Sequence, residues 1–166
     1  GSYLYIADLS NIEARMLAWL ANEETLLLSF AAGDDVYSQF ASEIYGRSIS
    51  KADKLERYVG KTAILGLGYG MGKDRYQDTL KNGSPSVDVT DSTALTIVSQ
   101  YRAMYPHIPR LWNACKKILY AMLNSSSVTP TYGPLEIVPN AIKSPNGMFL
   151  KYPHLIFSGG EFVYNS

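Results

Sequence analysis

The chain is poor in the residues on which several common chemistries depend. It has one cysteine, Cys115, in 166 residues, which excludes an intramolecular disulfide framework and fits a reducing compartment. Its two histidines, His107 and His154, lie in proline-flanked segments with no helical or Cys-x-x-Cys partner, so zinc is not expected. No uninterrupted apolar run approaches the roughly 20 residues that a membrane span needs. No signal-peptide pattern, internal repeat or low-complexity tract is visible. Charged residues are 18% of the chain, below the ~25% usual in soluble domains. What is present is 46% apolar, which excludes a disordered tail. A chain of this length can bury roughly 70% of its unfolded surface, which suits one domain or a piece of a longer protein.

There is also no excess of either charge: 15 basic residues balance 15 acidic ones. On its face that argues against nucleic acid. The distribution is uneven, however. Residues 1–46 hold one base and seven acids, residues 47–81 eight bases and four acids, and residues 82–166 six bases and four acids. An acidic block beside a basic block is compatible with a cation site next to an anion site, and equally with ordinary surface variation.

Periodicity predicts a β-prone run at Tyr3-Leu4-Tyr5-Ile6-Ala7 leading into Asp8. Ser10 and Glu13 form a capping-box pattern for a helix over residues 11–21. Helices over 23–31 and 35–45 should stop at Gly33 and Gly46. A longer helix should open at Ser50 or Lys51 and run to Leu80, with Asn82-Gly83 ending it. Asp88 or Thr90 can cap the next helix, which Tyr105-Pro106-His107-Ile108-Pro109 should bend or break. An amphipathic helix follows, through Trp112, Cys115, Leu119 and Met122 to Asn124, with Cys115 expected in the core. From Val128 the texture turns β-prone: Val128-Thr129, 135–138, 148–150 and 155–157, with Asn146-Gly147 as a hairpin turn.

Asp8, at the end of the first run and before a helix, is placed where open sheets gather ligands. A carboxylate there suits Mg²⁺, which takes one or two carboxylates plus phosphate oxygens; the plainer alternative is a turn cap. Glu13 likewise has a capping alternative. Arg57, Lys61, Leu65 and Tyr69 recur every four residues and form a slanted helical stripe about 18 Å long. Two cations, one aliphatic residue and one tyrosine suit a surface gripping a polyanion at one end and a ring at the other. The alternative is solvated Lys51, Lys54, Arg57 and Lys61 paired with Asp53 and Glu56. Glycines 66, 68, 70 and 72 follow. They are not a P-loop, because position 67 is Leu and Asp74 stands where Ser or Thr is needed.

Asp8-Leu9-Ser10-Asn11-Ile12-Glu13-Ala14-Arg15 resembles motif A of the family A, polymerase I-like DNA polymerases. Arg57-x₃-Lys61-x₇-Tyr69-Gly70 resembles that family's motif B, the nucleotide-gripping helix. Phe30-Ala31-Ala32-Gly33-Asp34-Asp35-Val36-Tyr37 looks like the link between them, and Ser144 through Pro153 like the β-hairpin of phage-encoded members. The resemblance is clear over about residues 3–80. It implies an α+β piece of a right-hand polymerase: a palm portion over 1–21, helical fingers over 22–127 with the motif B helix at 51–80, and a hairpin-rich segment over 128–166.

The resemblance also implies roles. Asp8, with the Leu9 carbonyl, would bind two catalytic Mg²⁺ ions. Arg57 and Lys61 would hold the triphosphate, and Lys61 could protonate the leaving pyrophosphate. Glu13 would crowd the sugar 2′ position and Leu65 would line the sugar and base pocket. Tyr69, with Gly70, would meet the templating base. The implied partners are primer–template DNA and deoxynucleoside triphosphates, without a membrane, in the cytoplasm of a phage-infected bacterium; oligomeric state is not indicated. The rival reading is a non-catalytic nucleic-acid-binding module derived from polymerase fingers. Four departures stand out. Tyr37 stands where many members have a phosphate-contacting His. Leu65 replaces a frequent Phe or Tyr. Pro134 and Met148 follow glycines where Arg is common. No His-Asp pair supplies the second metal-binding carboxylate of motif C.

Overall fold

The computed structural model describes residues 3–6, 8–124 and 131–165. Seven helices and two small antiparallel sheets are present among them, an α+β content as expected. The chain divides into two compact units, Gly1–Leu111 and Trp112–Ser166.

In the first unit, residues 3–6 carry no strand, and Tyr3, Leu4, Tyr5 and Ile6 are exposed. β-prone side chains do not make a strand; ladder bonds from a neighbouring segment do, and none of the described residues pairs with these. Helix α1 (Ile12–Ala21) follows. Its capping box does not form. Asn11, not Ser10, takes the N-cap position, in the left-handed region at φ +57°, without a side-chain cap bond. The Ser10 carbonyl instead accepts from Arg15 Nε at 3.1 Å. Helix α1 buries its small residues, Ala14 and Ala18, and leaves Met16, Trp19 and Leu20 exposed.

Helices α2 (Glu24–Ala32) and α3 (Val36–Tyr45) end at Gly33 and Gly46, both at positive φ, as the sequence predicts. The long helix expected over 51–80 is two. Helix α4 (Lys54–Leu67) and helix α5 (Lys73–Lys81) are separated by the glycine-rich turn at 68–72. The cause is in that turn: each glycine costs a helix up to ~1 kcal/mol relative to alanine, and Gly70 sits at φ +79°, outside any right-handed helix. Thr90 caps α6 (Asp91–Met104), its side chain accepting from the Thr93 amide. The Tyr105-Pro106 break then precedes α7 (His107–Leu123).

The core of this unit is built from α3, α4, α5 and α6. Phe40, Val59, Ile64, Leu67, Tyr76, Leu80, Ile97 and Tyr101 are buried. Tyr101 packs edge-on against both Phe40 and Tyr105, which are tilted toward each other, with ring centroids 5.1–6.1 Å apart. The buried Glu23 carboxylate accepts from the His107 amide at 2.9 Å and so caps the start of α7, while His107 Nδ1 lies 2.8 Å from the Asn22 carbonyl oxygen.

In the second unit, a four-stranded meander runs β1 (Thr131–Tyr132), β2 (Leu135–Val138), β3 (Ala141–Lys143) and β4 (Phe149–Lys151), and a separate hairpin joins β5 (Ile156–Ser158) to β6 (Glu161–Val163). Asn146-Gly147 forms the expected turn, with Gly147 at φ +82° donating its amide to the Ser144 carbonyl. Gly159 and Gly160, both at positive φ, make the β5–β6 turn, which the sequence reading missed. Met122, Ile137 and Leu155 form a small core with Ile118, Leu119, Ile142 and Phe162. Cys115 is exposed rather than buried, because the core uses a neighbouring stripe of α7. The run Val128-Thr129 lies outside the described residues.

Candidate nucleotide site

Two elements of sequence far apart in the chain meet in one cleft. The segment around Asp8, the start of α1, α3 and the middle of α4 enclose about 300 Å³ lined by Asp8, Leu9, Asn11, Ile12, Glu13, Tyr37, Lys61 and Leu65. Helix geometry explains the α4 contribution, since Lys61 and Leu65 are one turn apart on one face. Close packing of α3 explains the approach of Tyr37. At Gly60 a β-carbon would lie 2.3 Å from the Tyr37 carbonyl oxygen and 3.0 Å from Ala41 Cβ, so only glycine lets α3 and α4 come this near. Gly68 is also closely packed, since a β-carbon there would lie 2.6 Å from Leu17 Cδ2, the tip of a side chain of α1, and 3.0 Å from the Ile64 carbonyl oxygen.

Of the residues singled out in the sequence, Asp8, Leu9, Glu13, Tyr37, Lys61 and Leu65 share this cleft. Three do not. Tyr69 and Gly70 fall beyond the end of α4 and line a separate depression of about 410 Å³ with Gly66, Met71, Gly72 and Arg75. Tyr69 is 64% exposed there. Arg57 stands beside the cleft and not on its wall. Its guanidinium is gripped side-on by Asp35, Nε to Oδ2 at 2.6 Å and Nη2 to Oδ1 at 3.0 Å. It also lies over the Tyr37 ring, 5.3 Å from the centroid. The expected pairing of the α4 cations with Asp53 and Glu56 does not occur at Arg57; those two carboxylates are bound by Arg47.

Tyr37 ties the elements together. Its hydroxyl donates to Asn11 Oδ1 at 2.8 Å, which accounts for the left-handed Asn11 at the head of α1. Burial, with the nearby Asp35 and Glu13 carboxylates, outweighs the Arg57 charge and raises the phenol above its ordinary value, so it stays a neutral donor. Asp35 feels opposing influences. Burial disfavours its charge, but hydrogen bonds from Arg57 and Ser38 and the charge of Arg57 prevail, and the carboxyl is held below its usual range. The same pairing raises Arg57, against the cost of its burial. Asn11, Ile12 and Asp35 were not singled out from the sequence. Asp35 lies inside the matching link segment, but nothing in its spacing announces a partner 22 positions away.

The cleft holds one cation, Lys61, and two carboxylates, Asp8 and Glu13. No cluster of three or more His, Cys, Asp or Glu side chains occurs among the described residues. The Asp8 carboxylate and Leu9 carbonyl are hard oxygen donors of the kind magnesium takes, and they fit an ion that brings phosphate oxygens with it. No helix among the described residues is long and apolar enough to cross a membrane.

Comparison with known proteins agrees with the motifs. The chain is 33% identical over 112 residues to the thermostable DNA polymerase I of Thermus thermophilus, a match covering 68% of this chain and 12% of that protein. It is 33% identical over 113 residues to the DNA polymerase I of Deinococcus radiodurans, covering 68% of this chain and 11% of that one. It is 32% identical over 115 residues to the DNA polymerase of Bacillus phage SP02, covering 68% and 17%. The chain therefore spans only a small part of the length of these relatives. The sequence pattern of DNA polymerase family A matches residues 1–144, and the chain belongs to that family.

Proposed function

We propose that this chain forms the nucleotide-binding part of a template-directed DNA polymerase, contributing the palm's motif A and the helical fingers. The observation that carries the reading is the single cleft in which Asp8 and Lys61, 53 positions apart, both stand on the wall, with Glu13, Tyr37 and Leu65 between them. In this reading the Asp8 carboxylate and the Leu9 carbonyl would hold magnesium together with the phosphates of a deoxynucleoside triphosphate. The bound metal would supply activation of the primer 3′ oxygen and charge neutralisation of the leaving pyrophosphate. Lys61 donates to the phosphates and gives a proton to the departing pyrophosphate. Arg57 adds a second cation at the flank. Glu13 fills the space that a sugar 2′-hydroxyl would need, and Leu65 borders the sugar. Tyr37 stands where a phosphate-contacting histidine is common; its one O–H is given to Asn11, and its ring instead supports the Arg57 guanidinium. Tyr69 and Gly70, outside the cleft, meet the templating strand. Swinging of α4 closes the site over a correct pair.

The test is primer extension by the full-length polymerase carrying Lys61→Ala or Asp8→Asn. Loss of a charged hydrogen bond at Lys61 costs about 1.5–3 kcal/mol, so incorporation efficiency should fall roughly 10- to 150-fold; Asp8→Asn should abolish extension. The 166 residues alone should bind nucleotide weakly and extend nothing, since one carboxylate cannot organise two magnesium ions. Full activity in both variants would sink the role assignment and favour a module that binds nucleic acid without chemistry.

A further inference from the structure

Arg57 is held by a single carboxylate in a half-buried setting. Arg47, which precedes α4, pairs with Asp53 and Glu56 but is half exposed, and Lys61 stands on the cleft wall. Arg57 is bound through two of its five N–H groups by one carboxylate, its side chain 29% exposed and that of its partner 18%. Asp35 is itself fixed. It stands at the N-cap position of α3 without capping it, and Ser38 Oγ donates to Oδ2 at 2.7 Å. The Tyr37 ring packs under the guanidinium, and the Tyr37 hydroxyl is anchored on Asn11. A bidentate carboxylate fixes the plane of a guanidinium as well as its place. Three N–H groups of Arg57 remain for another anion, next to the cleft that contains Lys61.

We infer that Asp35 is a positioning residue: it holds Arg57, against the Tyr37 ring, in the orientation from which the free N–H groups meet the terminal phosphates of the incoming nucleotide. The inference rests on the reading that this cleft takes a triphosphate. An unheld arginine must give up rotamer freedom each time it binds phosphate, and that cost is about 0.5–1.5 kcal/mol for one long side chain, a roughly 2- to 12-fold change in affinity. Asp35 meets this cost during folding. The rotamer cost falls on the binding step, ahead of the chemistry, and is common to the bound and reacting states. Its loss should therefore raise KM and leave kcat nearly unchanged.

The experiment compares Asp35→Asn, Asp35→Glu and Lys61→Ala in the full-length polymerase, by steady-state incorporation and by equilibrium binding of a deoxynucleoside triphosphate to a complex with a dideoxy-terminated primer. For Asp35→Asn, KM and the dissociation constant should rise together, roughly 2- to 12-fold, at near-constant kcat. Asp35→Glu, which keeps the carboxylate, should recover most of the loss. If Lys61→Ala weakens binding and Asp35→Asn does not, the positioning role is wrong and the cleft assignment stands. Tighter binding in Asp35→Asn would make the carboxylate a competitor of phosphate and overturn the inference. If neither variant affects nucleotide binding, the cleft assignment itself fails. A fall in kcat and thermal stability together, not rescued by glutamate, would reduce Asp35 to a structural residue.

Discussion

Replacing Gly60 by alanine sets two opposing effects against each other. Gly60 lies in the interior of α4, where alanine should favour the helix by about 1 kcal/mol. The added methyl group would meet the Tyr37 carbonyl oxygen at 2.3 Å, Ala41 Cβ at 3.0 Å and the Ala41 nitrogen at 3.1 Å, where ordinary contact begins at 3.4 Å. The nearest atom is backbone, so no rotamer change relieves the clash; α3 must back away from α4 by about 1 Å. Overpacking of this kind costs about 1–3 kcal/mol, and a backbone contact belongs at the upper end. The net expectation is a loss of about 1–2 kcal/mol, a fall in melting temperature of roughly 2–8 °C for a chain of this size. Gly66→Ala is the internal control. Its nearest contacts are the Met71 Cε and Sδ atoms at 2.8 and 2.9 Å, the movable end of a flexible side chain. That variant should melt at or above the parent temperature. Thermal unfolding followed by circular dichroism decides the matter. A Gly60→Ala protein as stable as the parent would refute the claim that this glycine sets the spacing that carries Tyr37 to the cleft.

Two further outcomes can be checked on the same protein. Asp35 is held below its unfolded value of 3.8, so its stabilising contribution is fully present above pH 3.8 and is lost as the pH falls through the lower folded value. Asp35→Asn should therefore flatten the acid limb of the stability profile and leave the neutral region parallel to that of the parent. Thr90→Ala removes the hydroxyl that accepts from the Thr93 amide at 3.2 Å and should destabilise the start of α6 by about 1 kcal/mol. Faster amide exchange confined to residues 91–94 would report it, and unchanged exchange would show the cap to be idle.

Much of the local structure was legible because its causes are local. Gly33 and Gly46 stop helices, Thr90 starts one, Tyr105-Pro106 breaks one and Asn146-Gly147 turns a hairpin through backbone preferences that each residue carries wherever it stands. The misreadings have tertiary causes. Ser10 and Glu13 form a valid capping pattern, but the Tyr37 hydroxyl takes hold of Asn11 and moves the start of α1. The single helix expected over 51–80 is the exception, with a local cause: the glycine-rich turn at 68–72 separates α4 from α5. The motif residues that carry the family resemblance stand out as side-chain types at fixed spacing, which is why Asp8, Glu13, Lys61 and Leu65 could be named without coordinates.

What the sequence determined by itself was membership: which acids, cations and glycines are present, and in what order. Which of them face each other was decided by the fold. Asp35 meets Arg57 and Tyr37 meets Asn11 only because α3 lies against α4 at a glycine and beside the head of α1. Periodicity encodes the face of one helix and is silent on the face opposite. Those pairings separate the stripe Arg57, Lys61, Leu65 and Tyr69 into one side chain held at the flank, two on the cleft wall and one outside it.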